Sequence, residues 1–186
     1  PFEMDDWGSD VAVGASQKGL MSPAGLSFVA AGPKAHAAAE RANLKTRYMD
    51  WEDRRAEAAY MRYAGTPPEQ LLYGLRAALD MILAEGLEQV WRRHAALGET
   101  IRAALTAWSV KGGIEPNIID PAQRSNAVTV FLVNDGKAAA LRAKLAETCG
   151  VSISATLGEI AGTGLRIGHM GHVNAPMILG TLACIQ

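Results

Sequence analysis

The chain has 186 residues, 49% of them hydrophobic and 20% charged, with a formal net charge of −1, the composition of an ordinary protein with one sizeable domain or two small ones. Its 18 basic and 19 acidic residues are scattered, which excludes an electrostatic footprint for nucleic acid or an anionic membrane and favours a small uncharged or anionic ligand. No apolar run reaches the roughly 18 residues of a membrane span, and the opening Pro1–Asp6 lacks the basic stretch of a signal peptide, so a cytoplasmic protein with Cys149 and Cys184 reduced is expected.

In chain order, Ser9–Ser16 is a short β-rich run ending in small residues, which predicts a strand followed by a turn that carries Lys18. Pro23-Ala24-Gly25 breaks the chain, and Leu26–Ala30 reads as a second strand, apolar enough to be buried on both faces of a larger sheet. His36–Asp53 is polar and mixed, a peripheral excursion with interrupted helical stretches that ends at the turn signal Gly65-Thr66-Pro67-Pro68. The two prolines suit the first turn of a helix, and Leu71, Leu72, Leu75, Leu79, Ile82 and Leu83 follow at helical spacing. Gly86 interrupts, and a second helix runs through Val90, Leu97, Ile101 and Leu105 to about Trp108. Beyond it come a strand over Ala127–Val133, a helix over Ala138–Thr148, short strands over Val151–Ser154 and Leu165–Gly168, and a final helix. That order predicts a small α+β domain, with helices on one face of a mainly antiparallel sheet. Trp7, Trp51, Trp91 and Trp108 are read as core or interface packing.

Three segments carry residues that can do chemistry. In Ser16-Gln17-Lys18-Gly19-Leu20-Met21-Ser22-Pro23-Ala24-Gly25 a lysine sits at a strand end among small and apolar residues. Partial desolvation there would lower its pKa and raise the fraction of free, nucleophilic amine, although a lysine taken at random is a solvated one. Tyr63-Ala64-Gly65-Thr66-Pro67-Pro68 places a phenol and a hydroxyl ahead of a helix N-terminus, where N–H groups are free; those are phosphate donors, or simply an ordinary helix start. In Gly164-Leu165-Arg166-Ile167-Gly168-His169-Met170-Gly171 an arginine alternates with apolar residues, so its planar fork can project into a cleft and hold a carboxylate, or make a structural ion pair. His169 and His172 are three apart, but no Cys, Asp or Glu nearby completes a metal-ligand set.

The Ser-Gln-Lys segment with its Pro/Gly turn resembles the cofactor-lysine segment of class V aminotransferases of the alanine/serine:glyoxylate type, and the Tyr-x-x-Thr-x-Pro and Leu-Arg-Ile-Gly segments match the same family in the same order. The resemblance implies the α/β fold type I of pyridoxal-phosphate-dependent transferases: residues 1–85 as the C-terminal part of the large cofactor-binding domain with a linking helix, and 86–186 as the small C-terminal domain. It implies pyridoxal 5′-phosphate as cofactor, Lys18 as Schiff-base lysine and proton shuttle, Gln17 near the cofactor phosphate, Tyr63 and Thr66 reaching the phosphate in the other subunit of a homodimer, and Arg166 on the substrate α-carboxylate. The implied reaction moves an amino group from alanine or serine to glyoxylate or pyruvate. A pyridoxamine–pyruvate specificity remains open, as does a non-catalytic dimerisation scaffold.

The match corresponds to about the C-terminal half of a family member. The other half should hold a phosphate-binding turn, a residue stacked on the pyridine ring and an aspartate on its nitrogen, so these residues alone are expected to be an incomplete catalyst. A cysteine desulfurase usually has a histidine before the lysine where this chain has Gln17, and it needs a reactive loop cysteine, which Cys149 has no neighbouring base to become.

Overall fold

Valines alternate with small residues in Val11–Ala15 (β1), Phe28 and Val29 centre Ser27–Ala31 (β2), and the two strands pair as an antiparallel hairpin with Val13 opposite Val29 and Ala15 opposite Ser27. The computed structural model describes residues 2–186, which divide between Met81 and Ile82 into two compact units, and this hairpin is the sheet of the first. The expectation that Leu26–Ala30 is buried on both faces is corrected: Val13 and Val29 are 74% and 51% exposed. Among the described residues β1 and β2 have only each other as strand partners.

After β2, Gly32 leads into α1 (Pro33–Glu40), with proline in the first turn, where a missing N–H leaves no bond unmade. The polar excursion is irregular apart from short helical turns, including α2 (Trp51–Arg54), whose N-cap Asp50 carboxylate accepts a hydrogen bond from Glu52 N–H at 3.0 Å. The chain then enters α3 (Glu69–Glu85), and the Leu72 N–H donates to the Pro68 carbonyl as the helix begins.

The second unit starts within the last turn of α3. Gly86, with φ of 87°, makes the break that separates α3 from α4 (Leu87–Ser109). Four strands follow: β3 (Ile114–Pro116), β4 (Val128–Val133), β5 (Ser154–Ala155) and β6 (Gly164–Gly168), in the spatial order β3-β4-β6-β5, all antiparallel. Along β4 burial alternates residue by residue, with Thr129, Phe131 and Val133 turned inward. Leu97, Ile101 and Leu105 of α4 meet them there, together with Leu165 and Ile167 of β6. α5 (Ala138–Cys149) and α6 (Ala175–Ile185) add Leu145, Ile178 and Leu182 to the same core.

This is the small α+β arrangement expected, with two differences. β3 has no counterpart in the expectation, because a three-residue edge strand ending in Pro116 carries too little alternation to read. The strand expected at Val151–Ser154 forms at Ser154–Ala155. Of the tryptophans, Trp108 packs against the core, whereas Trp7 is exposed and meets Phe2 edge-on with ring centroids 5.0 Å apart. Among the described residues no helix is long and apolar enough to cross a membrane.

One polar side chain lies entirely within this core. His169, just beyond β6, is fully buried with its Nε2 3.0 Å from Thr129 Oγ1, and it lies so close to α4 that a Cβ on Gly98 would come within 2.7 Å of its ring. That approach explains a glycine in mid-helix. Burial pushes the His169 pKa down to about 4, with the positive charge of Arg102 and then His94 acting in the same direction.

The unfolded chain, whose histidine has its ordinary value near 6.5, takes up a proton between about pH 6.5 and 4 that the fold refuses. Stability is therefore expected to fall as the pH drops through that window, by at most about 3 kcal/mol. Urea unfolding followed from pH 7 to pH 4.5 should show this slope, and His169→Gln should flatten it whatever it does to stability at pH 7.

Candidate functional site

Lys18 stands on the turn that follows β1, and a serine builds that turn. Ser16 is fully buried; its Oγ donates to the Pro23 carbonyl at 2.6 Å and accepts from the Leu26 N–H at 3.3 Å. Its backbone adds two bonds, N–H to the Leu26 carbonyl at 3.1 Å and carbonyl to the Ser22 N–H at 3.0 Å, while the Met21 N–H closes on the Lys18 carbonyl at 3.0 Å. Five hydrogen bonds thus hold the eleven-residue loop from Ser16 to Leu26. The loop rests on α3: a Cβ on Gly25, where φ is 134°, would lie 2.6 Å from Leu71 Cδ1, and Gly74 leaves room for Pro23.

The Lys18 side chain itself is exposed, as is Gln17. The partial desolvation expected from its neighbours is therefore corrected: the small residues around it fold the turn, and no apolar wall of the described residues covers the amine. Among those residues Lys18 makes no ion pair.

Tyr63 and Thr66 open onto a single groove of about 700 Å³ ahead of α3, with Arg54, Arg62 and Gly65 beside them and Ser27 and Val29 of β2 on another wall. Both residues are exposed. The segment that presents them is braced from within by two arginines. Arg54 donates to the Arg62 carbonyl at 3.0 Å and to the Tyr48 carbonyl, with its guanidinium 4.7 Å over the Tyr48 ring; Arg62 donates to the carbonyls of Ala56 at 2.7 Å and Glu57 at 3.1 Å. Ala64 is left-handed, with φ of 53°, which turns the chain between Tyr63 and Thr66. A neighbouring hollow of about 510 Å³ beside α1 contains none of the expected site residues; alanines of α1, Leu44, Met49 and Trp51 line it with the surface Lys34–Asp10 pair at 2.7 Å.

In the second unit the register places Arg166 between Val130 of β4 and Ser154 of β5, on the opposite face of β6 from Leu165 and Ile167. Arg166 lines a cavity of about 210 Å³ with Ser152, Ser154, Gly168, Met177 and Thr181. Its Nε is buried and has no hydrogen-bond partner among the described residues. A guanidinium nitrogen left unpaired out of water is costly unless an acceptor arrives, and the planar fork suits a carboxylate.

Within the first unit, then, Lys18 and Gln17 share one turn, and Tyr63 and Thr66 share one groove that Gly25 and Leu26 at the end of that loop line but Lys18 and Gln17 do not. Ser16, Arg54 and Arg62 went unnoticed in the sequence, since a buried loop serine and arginines inside a polar stretch have no periodicity to mark them. Among the described residues no three His, Cys, Asp or Glu side chains gather as a metal site. Cys149 closes α5 as an exposed free thiol, and a hydrogen bond with the Thr148 hydroxyl, then one with Cys184, holds it below the ordinary thiol range.

The chain matches the family model Aminotransferase class-V over residues 1–172. It is 41% identical over 189 residues to a serine–glyoxylate aminotransferase of Methylorubrum extorquens, an alignment that covers 98% of this chain and 46% of that protein. Among solved structures, an alanine–glyoxylate aminotransferase from Nostoc superposes over the whole chain and 49% of its own with a TM-score of 0.85 at 26% identity. A pyridoxamine–pyruvate aminotransferase from Mesorhizobium loti does so over the whole chain and 47% of its own, with a TM-score of 0.85 at 28% identity. The chain spans about half the length of the curated relatives it matches.

Because Ser16 holds the Lys18 turn, Ser16→Ala is expected to lower stability by about 1–3 kcal/mol, the cost of leaving the Leu26 N–H and Pro23 carbonyl unpaired. Hydrogen exchange should show the Ser22 and Leu26 amides losing protection before those of α3 do.

Proposed function

From the premise that the chain belongs to the class V aminotransferases, with the fold type I architecture of pyridoxal-phosphate enzymes, we propose that it is part of an aminotransferase moving an amino group from alanine or serine to glyoxylate or pyruvate. The observation that carries the reading is Arg166. A buried guanidinium nitrogen without a partner, on a cavity of about 210 Å³ beside two serines and a threonine, fits the carboxylate that every amino-acid donor and oxo-acid acceptor bears.

The residues present also fit pyridoxal 5′-phosphate. The exposed, unpaired Lys18 amine would hold its aldehyde carbon, and the Tyr63 phenol and Thr66 hydroxyl, on the groove ahead of α3, would donate to its phosphate. Gln17 would lie near that phosphate. When bound, the group supplies a ring that absorbs negative charge from the substrate Cα. With the group bound, Lys18 would serve as the base and acid that carries the proton between the substrate Cα and the cofactor. Arg166 orients the donor and acceptor carboxylates in turn. The family resemblance supports a homodimer in which Tyr63 and Thr66 serve the other subunit. Two free thiols support the cytoplasm as its compartment. A pyridoxamine–pyruvate specificity is the second reading, favoured by the likeness to the Mesorhizobium loti enzyme.

The full-length protein with added pyridoxal phosphate is expected to show a visible absorbance band that Lys18→Ala abolishes and that bleaches on adding L-alanine or L-serine. Bleaching by pyridoxamine with pyruvate, and by neither amino acid, would move the assignment to the second reading. A band indifferent to Lys18, or none, would leave a non-catalytic scaffold as the better account.

A further inference from the structure

The loop His169–Asn174 leaves β6 three residues after Arg166 and leads into α6, and its backbone carbonyls need donors. One arginine supplies them. Nη1 of Arg93, on α4, donates to the Gly171 carbonyl at 2.9 Å and to the Val173 carbonyl at 2.8 Å. The other edge of the same guanidinium is held by Glu85, the last residue of α3, through two parallel bonds: Nε to Oε1 at 2.7 Å and Nη2 to Oε2 at 2.8 Å. The Arg93 hydrogen bond holds the Glu85 carboxyl below the ordinary carboxylate range, so the pair is fully charged at neutral pH. His94 adds a second tie, with its Nε2 3.1 Å from the Gly171 nitrogen and 3.2 Å from its carbonyl oxygen.

What these bonds hold in place is a wall. Val173, Met177 and Thr181 line the Arg166 cavity, and α6 begins at the Asn174 cap, whose side chain accepts from the Met177 N–H at 3.1 Å. Shifting the Gly171 and Val173 carbonyls therefore moves the loop and the first turn of α6, and with them one side of the cavity. Resting on the reading of Arg166 as the carboxylate anchor, we propose that Arg93, oriented by Glu85, is a positioning residue that sets the fit of that cavity to a small carboxylate. Lysine cannot take its place: a point charge on a flexible stem cannot span two carbonyls and a bidentate carboxylate in one plane.

The test uses the full-length holoenzyme and three ligands: L-serine and ethanolamine, followed by their effect on the visible band, and propionate, which cannot react, followed by calorimetry. Arg93→Lys is expected to weaken L-serine and propionate by about tenfold or more and to leave ethanolamine, which has no carboxylate, unchanged. Glu85→Gln should weaken the same two ligands less, and the double variant should be no worse than Arg93→Lys alone, because both act through one guanidinium. If Arg93→Lys leaves both carboxylate ligands within about twofold of the parent while Arg166→Lys weakens them, the positioning role is wrong and the anchor stands. If Arg166→Lys also leaves them unchanged, the anchor reading fails and this inference goes with it. Equal weakening of all three ligands by Arg93→Lys would mark a general structural role and overturn the proposal.

Discussion

The pairing of β6 with β4 is the constraint on which the second unit depends. Side chains alternate across a strand, so once Phe131 lies opposite Leu165 and Thr129 opposite Ile167, with all four turned toward the core, Arg166 has no choice of face. A slip of one residue would bury the guanidinium among Leu105, Leu145 and Ile178 and turn Leu165 and Ile167 outward, at a cost no single hydrogen bond could offset. The apolar core thereby aims the polar site. His169 belongs to the same argument: it follows β6, its Nε2 bonds Thr129 of β4, and Gly98 of α4 leaves space for its ring, so three elements agree on where the strand ends.

The first unit positions its lysine by another means. The turn between β1 and β2 has no apolar cluster beneath it and is specified by polar bonds from Ser16, with shape supplied by Gly25 against Leu71 and Gly74 against Pro23. A loop held this way keeps a defined path while leaving the Lys18 amine uncovered, whereas a loop held by hydrophobic burial would draw its side chains inward. The small residues around Lys18 serve the backbone path, and the desolvation first attributed to them has no source in the described residues.

The long elements were legible in the sequence because their physics is periodic. Leu71 to Leu83 mark α3, Val90 to Leu105 mark α4, and the apolar run of β4 marks the centre of the sheet, each lying within the element it marks and no more than about a turn short of its ends. Lys18, Tyr63, Thr66 and Arg166 were legible for a different reason: they stand in segments that resemble a family's motifs, while composition and spacing alone left their ordinary readings open. What could not be read is whatever depends on partners distant in sequence. β3 is too short to carry a pattern, the exposure of Val13 and Val29 depends on which strands are present to pair, and nothing local distinguishes Arg93 from Arg92, whose guanidinium makes only a surface pair with Glu88.

Arginines in the second unit show how burial and pairing together separate structural from functional charge. Arg102 has a side chain only 12% exposed, but its donors go to Glu99 and to the Ser125 carbonyl, so it is a brace. Arg93 is partly buried and has Glu85 on one edge and two carbonyls on the other, so four of its five N–H donors are engaged within the chain. Arg166 alone of the three has a buried nitrogen without a partner and a cavity beside it. A fold selected only for stability would pair or expose that group, since an unmet charge-bearing donor out of water costs more than a neutral one. Among the three arginines it is Arg166 whose unmet nitrogen faces a cavity, which is why the proposed carboxylate site is placed there.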